Sequence, residues 1–168
     1  MAAIHRENGA DGIWFSPRAP EEPTGFDEPR RASIALGLAR GVDEAEWIRL
    51  WHAVDDRGRV VGDVNLRGNR LTAEQHRCTL GIGLLATHRG RGLGRALLAT
   101  AVDWAKSQAV LEWVDLGVFD GNAPAIRLYE SFGFVRWGAV EDRFRVRGVS
   151  VADVQMALRL RAETRGYP

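Results

Sequence analysis

The run His88-Arg89-Gly90-Arg91-Gly92-Leu93-Gly94-Arg95 stands at the head of a helical pattern in which Leu93, Leu97, Ala101 and Trp104 recur at spacings of four, four and three. That juxtaposition leaves few folds open. A helix with one apolar stripe has to lie on a second layer, and the preceding segment provides it. From Arg77 to Leu85, Cys78, Leu80, Ile82 and Leu84 alternate with Thr79, Gly81 and Gly83, which is the period of a strand with one nearly bare face. Trp113 to Phe119 reads as the next strand, so strand, helix and strand form a right-handed crossover joining parallel neighbours. The chain is therefore of the α/β class, and its 168 residues suit a single domain over 1–168.

The remaining elements are predicted around this unit. The run WIRLWHAV, within Glu46 to Asp55, and the stretch Arg59 to Arg67 flank Asp56-Arg57-Gly58 and read as an antiparallel hairpin. Asn122, Pro124 and Gly133 bracket a short helix as N-cap, first-turn proline and C-terminal stop. Strands at about Phe134 to Glu141 and Val149 to Leu160 finish the chain, and Pro29 to Ala39 predicts a short helix stopped by Gly41. Residues 9–31 collect Pro17, Pro20, Pro23 and Pro29 with three glycines, a composition that predicts a surface loop pinned by Ile13, Trp14, Phe15 and Phe26.

Composition removes several classes of function. The 23 basic and 22 acidic side chains give a net charge of +1, which offers no broad attraction for nucleic acid or an anionic membrane. No apolar run approaches the ~18 residues of a membrane span, and Met1 to Asn8 lacks the apolar stretch of a secretion signal. Cys78 is the single cysteine, so neither an internal disulfide nor a Cys/His zinc site is expected, and a cytoplasmic location follows as the simplest reading.

Three glycines let backbone N–H groups approach a ligand, the helix start adds partial positive charge, and Arg89, Arg91 and Arg95 add full charges. Phosphate or pyrophosphate is the ligand such a loop suits, against the equal alternative of a solvated turn. A P-loop would need Lys-Ser/Thr where Arg95-Ala96 stands, and a dinucleotide fingerprint would need glycine where Leu97 stands. Both of those nucleotide readings fail.

The pattern Arg89-x-x-Gly92-x-Gly94, within RGRGLGRALL (Arg89 to Leu98), and the later NAPAIRLYESFGF (Asn122 to Phe134) together resemble the acetyl-coenzyme A signature of the GNAT N-acetyltransferases. The likeness extends over 60–158. It implies a mixed, mostly antiparallel twisted sheet flanked by helices, with two parallel central strands splayed apart around the pantetheine arm of acetyl-CoA. By position, Ile82, Gly83 and Leu84 would meet the acetyl-pantetheine end. Arg89, Gly90, Arg91, Gly92, Leu93, Gly94 and Arg95 would meet the pyrophosphate, and Asn122 the coenzyme near the second strand. Residues 1–41 would form a variable, substrate-side region in which Ile4 to Asn8 looks like the tail of the family's first helix, its preceding strand being absent.

The same resemblance gives Tyr129, in the pattern N-x-x-A-x-x-L-Y, the role of general acid toward the departing sulfur. Read from its neighbours Ala125, Ile126, Leu128 and Phe132 alone, it is a core tyrosine. An oxyanion donor is expected among the backbone N–H groups near Leu84. Some members carry a catalytic Glu where Gly117 stands, so the base must be found elsewhere. His76 is preferred because imidazole exchanges protons near neutrality, with Asp115, Glu74 and Asp63 as further candidates; each is otherwise an ordinary surface or strand-end residue. Cys78 reads as a packed thiol rather than a nucleophile. Arg143, Arg145 and Arg147 alternate around a turn and read as a solvated edge.

The resulting expectation is direct transfer of acetyl from acetyl-CoA, without a metal, to the primary amine of a small molecule or amino acid. Acetylation of a protein N-terminus and a non-catalytic acyl-CoA sensor are the competing readings. Trp14, Trp47, Trp51 and Trp137 could serve a homodimer interface as readily as a core.

Overall fold

The computed structural model describes residues 28–146 and 148–161. Its first element is helix α1 (Glu28–Ala39), followed by the hairpin β1 (Ile48–Val54) and β2 (Val60–Gly68), then β3 (Arg77–Leu84). Helix α2 (Leu93–Ser107) crosses to β4 (Trp113–Phe119); helix α3 (Ala123–Glu130) leads to β5 (Val135–Val146) and β6 (Val149–Arg159). The six strands form one sheet in the order β1-β2-β3-β4-β6-β5, with β3 and β4 its parallel pair and every other neighbour antiparallel. The expected mixed, mostly antiparallel α/β sheet is what forms. No helix among the described residues is long and apolar enough to cross a membrane.

Of the stripe read for α2, Leu97 and Ala101 enter the core, with Trp104 partly buried against it, and Leu98, Val102 and Ala105 widen the contact with Val64 and Leu66 of β2, Cys78 and Leu80 of β3, and Val114 and Leu116 of β4. Cys78 is fully buried, and burial pushes its thiol up to about 12. It is a packed thiol, protonated and out of reach. On the opposite face α1 lies so close to β1 that a Cβ on Gly37 would stand 2.7 Å from Ile48 Cγ1. Only glycine lets that backbone approach.

The tryptophans divide. Trp47 is fully buried, its ring 5.6 Å from Trp104, and Trp51 packs on the same ring at 5.5 Å. These two belong to the core, whereas Trp137 is 66% exposed on β5 and Trp14 lies outside the described residues. The later strands also depart from expectation. β5 runs on to Val146, so Arg143 and Arg145 belong to the edge strand itself and not to a turn. The register slips between Val140 and Phe144, and Asp142 takes a positive φ of 48°, which breaks the alternation a sequence reading follows.

Candidate active site

β3 and β4 are paired at Arg77↔Trp113, Cys78↔Val114 and Thr79↔Asp115, and then they part. Beyond that row each strand keeps its outer neighbour alone: β4 pairs with β6 from Trp113 to Phe119, and β3 stays with β2 as far as Leu84. Leu85 N–H donates to Val61 O at 2.9 Å. Alternation along an antiparallel ladder then turns the backbone of Gly83 and Gly81 toward β2 and leaves that of Ile82 and Leu84 directed into the gap. A narrow ligand with amides of its own can pair there.

A cavity of about 1000 Å³ fills the gap. Ile82, Gly83 and Leu84 line one side, and Asn122 and Tyr129 line the other. At the mouth stand Arg89, Gly90, Gly92, Gly94 and Arg95. Most of the residues singled out in the sequence therefore share one wall system. Arg91 and Leu93 do not line it, and neither does His76.

The mouth is built from backbone. Gly90 and Gly92 have φ of +72° and +82°, conformations that L side chains resist. Gly92 is the N-cap of α2 and supplies no side-chain cap, the first turn holds no acid, and the first intrahelical bond is Ala96 N–H to Gly92 O at 3.0 Å. The N–H groups at the head of α2 are thus offered outward, with the helix dipole behind them. Helix α3 differs: its N-cap Asn122 accepts from Ala125 N–H through Oδ1 at 3.4 Å. The arginines are tethered at the rim rather than converging. Arg89 donates through Nε to Leu84 O at 3.3 Å, and Arg95 reaches Ser131 Oγ at 3.0 Å while lying over the Phe132 ring.

Tyr129 is 7% exposed and packs on Phe134 at 5.8 Å, so it is a core tyrosine as well as a cavity residue. Burial pushes its phenol up to about 12, which keeps it a proton donor at neutral pH. His76 lies before the start of β3, where its carbonyl accepts from Glu112 N–H at 2.8 Å and Trp113 N–H at 3.1 Å. It stands three positions before Thr79, the cavity-lining residue nearest to it on β3, and does not itself line the cavity. Glu74 and Asp115 also stand away from the cavity: Glu74 is in the 3₁₀ turn Thr72–Glu74, and Asp115 is held by Arg77 at 2.8 and 2.5 Å.

Asp63 is different again. It is 1% exposed, neither carboxylate oxygen has a hydrogen-bond partner among the described residues, and desolvation, opposed by the charge of Arg67, pushes its carboxyl up to about 6. It does not line the cavity.

Four polar residues escape a sequence reading. Asn65, Arg67 and Arg30 line the cavity on the face opposite α2. The alternation of Asp63, Asn65 and Arg67 with Val64 and Leu66 was the available signal for a polar face on β2. The fourth, Asp153, needs the register of β6 to be found. A Cβ on Gly117 would stand 2.8 Å from Asp153 Oδ1 and 2.9 Å from Oδ2, so this carboxylate overhangs the cavity wall from the neighbouring strand. Burial raises its pKa against the lowering effect of a 2.6 Å bond from Gln155 Nε2 and the charge of Arg143. Gly117 does lack a carboxylate, but it makes room for one.

A family model described as the acetyltransferase (GNAT) family matches residues 12–134. The chain belongs to this GNAT family. Among curated relatives, the mycothiol acetyltransferase of Thermobispora bispora is 29% identical over 139 residues, which is 80% of this chain and 39% of that protein. The L-amino acid N-acetyltransferase AaaT of Escherichia coli is 29% identical over 77 residues, 46% of this chain and 48% of that protein. This GNAT chain therefore spans less than half the length of these relatives. Among solved structures, a phosphinothricin acetyltransferase (Pat) from Sinorhizobium meliloti in complex with AcCoA gives a TM-score of 0.79 at 21% identity, over 99% of this chain and 85% of that one. The ribosomal-protein-alanine N-acetyltransferase of Brucella melitensis gives 0.76 at 23%, over 94% and 91%. At such identities the likeness establishes the GNAT fold.

Proposed function

We propose that the protein transfers the acetyl group of acetyl-CoA directly to the primary amine of a small molecule. One observation carries this reading: the gap between β3 and β4 runs from the uncapped head of α2 to the Tyr129 side chain. The diphosphate would be held by N–H groups of the Gly90–Arg95 segment. The thioester arm would lie along Ile82 and Leu84, where the glycines at 81 and 83 leave the strand face open. The L-amino acid N-acetyltransferase of Escherichia coli and the AcCoA complex of the Sinorhizobium meliloti protein support the same reading.

In the transfer the amine nitrogen forms a bond to the acetyl carbon and the C–S bond breaks, the sulfur leaving with the electron pair. The amine must shed a proton. Asp153, with its raised pKa, is positioned at Gly117 to receive it. Tyr129 would donate its O–H to the departing sulfur. A free thiol has a pKa near ~8.5, but burial lifts a thiol as it lifts a phenol, as Cys78 illustrates.

Calorimetry with acetyl-CoA, followed by thioester consumption across a panel of primary amines and peptides, tests the proposal. Binding with turnover of small amines is the expected result. Binding without turnover of any acceptor would indicate a sensor, turnover of peptides alone would indicate N-terminal acetylation, and absence of binding would remove the reading altogether.

A further inference from the structure

The cleft floor carries a cation that acetyl transfer by itself does not require. Arg67 lies on β2 opposite Thr79, and Thr79 lies opposite Asp115, the last row in which β3 and β4 are paired. The only hydrogen bond of its side chain among the described residues is Nε to Asn65 Oδ1 at 2.9 Å, a neutral partner. Asn65 is itself fixed by donating through Nδ2 to Gly81 O at 3.2 Å, so it orients the guanidinium and leaves both η nitrogens unclaimed among those residues. The carboxylate of the same row, Asp115, is already taken up by the guanidinium of Arg77. A second arginine, Arg30 of α1, lines the same cavity.

Desolvation and then the charge of Arg30 lower the pKa of Arg67, while the carboxylate of Asp63, two positions beyond Asn65, opposes this. A partly buried guanidinium held by a neutral partner is stabilised when an anion reaches its remaining N–H groups. We propose that Arg67, oriented by Asn65, is the subsite for a carboxylate of the acceptor, and that the acceptor is an α-amino acid.

Distance favours the α-amine in particular. Arg67 and Gly81 stand in adjacent rows of one face on neighbouring strands, about 8 Å apart between Cα atoms, and Asn65 of the Gly81 row holds the Arg67 Nε. A carboxylate held by N–H···O bonds of ~2.8 Å carries its α-amine two bonds beyond the carboxyl carbon, within the span of that row step. The amine would arrive in the row of Gly81 and Gly117, between the bare strand face and the Asp153 carboxylate. An acceptor without a carboxylate would leave Arg67 desolvated and unpaired.

The inference rests on the acetyl-transfer reading, and its test separates the two. With the protein saturated with CoA, calorimetry compares N-acetyl-L-amino acids with the corresponding N-acetyl amino acid amides, and initial rates compare amino acids with their amides and decarboxylated amines. Acids are expected to bind about tenfold or more tightly than amides, the scale of a charge-assisted pair, and to be acetylated preferentially by a similar factor. Arg67→Gln should remove the difference and Arg67→Lys should keep part of it. Should Arg67→Gln fail to fold, the acid-to-amide ratio of the native protein decides alone. Equal behaviour of acids and amides, including no binding of either, overturns the carboxylate subsite. Failure of CoA itself to bind overturns the reading beneath it.

Discussion

The two ends of the cleft are built on opposite principles. The mouth is made of backbone: glycines with positive φ, a helix start without a cap, and arginines tied to the rim. The floor is made of side chains brought together from several strands, namely Asn65 and Arg67 of β2, Thr79 of β3 and the Asp153 carboxylate of β6 over Gly117. A backbone grip suits a ligand portion common to every turnover, because amides hold phosphate without reading anything else. A side-chain floor suits the portion that differs between acceptors. Changes at one end should therefore leave the other end's ligand untouched.

Tyr129→Phe, between the two, is expected to have the largest effect: turnover falls on the order of a thousandfold while the acetyl-CoA dissociation constant stays nearly unchanged. Steady-state rates with calorimetry check this, and a parallel loss of affinity would mean that the phenol belongs to the grip instead. Asp63→Asn comes next and is read in stability. The folded pKa of about 6 exceeds the ordinary 3.8, so the native state holds this proton more tightly than the unfolded chain. The native protein therefore loses stability as pH rises from about 4 to about 6 and loses no more above that. The variant should escape this loss, gaining about 2 to 3 kcal/mol over the native protein at pH 7.5 and nearly nothing at pH 4, from ~1.4 kcal/mol per pKa unit. Denaturant midpoints at the two pH values measure it, and a difference that does not change with pH would show that folding leaves the Asp63 carboxyl pKa where it was.

Asp153→Asn should lower turnover on the order of a hundredfold and abolish the rise of rate with pH that a raised carboxyl pKa places above the usual carboxylate range. An unchanged pH profile would assign the proton to water. Gly92→Ala is the smallest of the set. With φ at +82° a Cβ strains the turn, at roughly 1 kcal/mol, and should weaken acetyl-CoA about tenfold with the acceptor KM unmoved. A matching rise in the acceptor KM would erase the distinction between mouth and floor.

The same contrast explains what could be read from the chain. The mouth is local in sequence: a strand, three glycines and a helix stripe follow one another between Arg77 and Ser107, and their elements form where the pattern puts them. Asn122 as a cap and Gly133 as a stop are equally local. Nothing local reveals that β6, the last strand, inserts between β4 and β5. That insertion brings Asp153 over Gly117. His76 attracted attention through its residue type, but the type of a side chain does not say which end of a strand will open. Asp63 and Asn65 differ by two positions on one face, yet the first is sealed and the second lines the cavity. That difference comes from packing above the sheet, which alternation cannot register.

Because three rungs alone pair β3 with β4, the sheet has two leaves, one carrying β1 to β3 and the other β4, β6 and β5, joined by that short seam and by the core under α2. A guest whose own amides lie between Ile82 and the facing strand would lace the leaves together. Loading would then do more than occupy a pocket: deuterium uptake at Ile82 and Leu84 would slow, and melting would move to higher temperature.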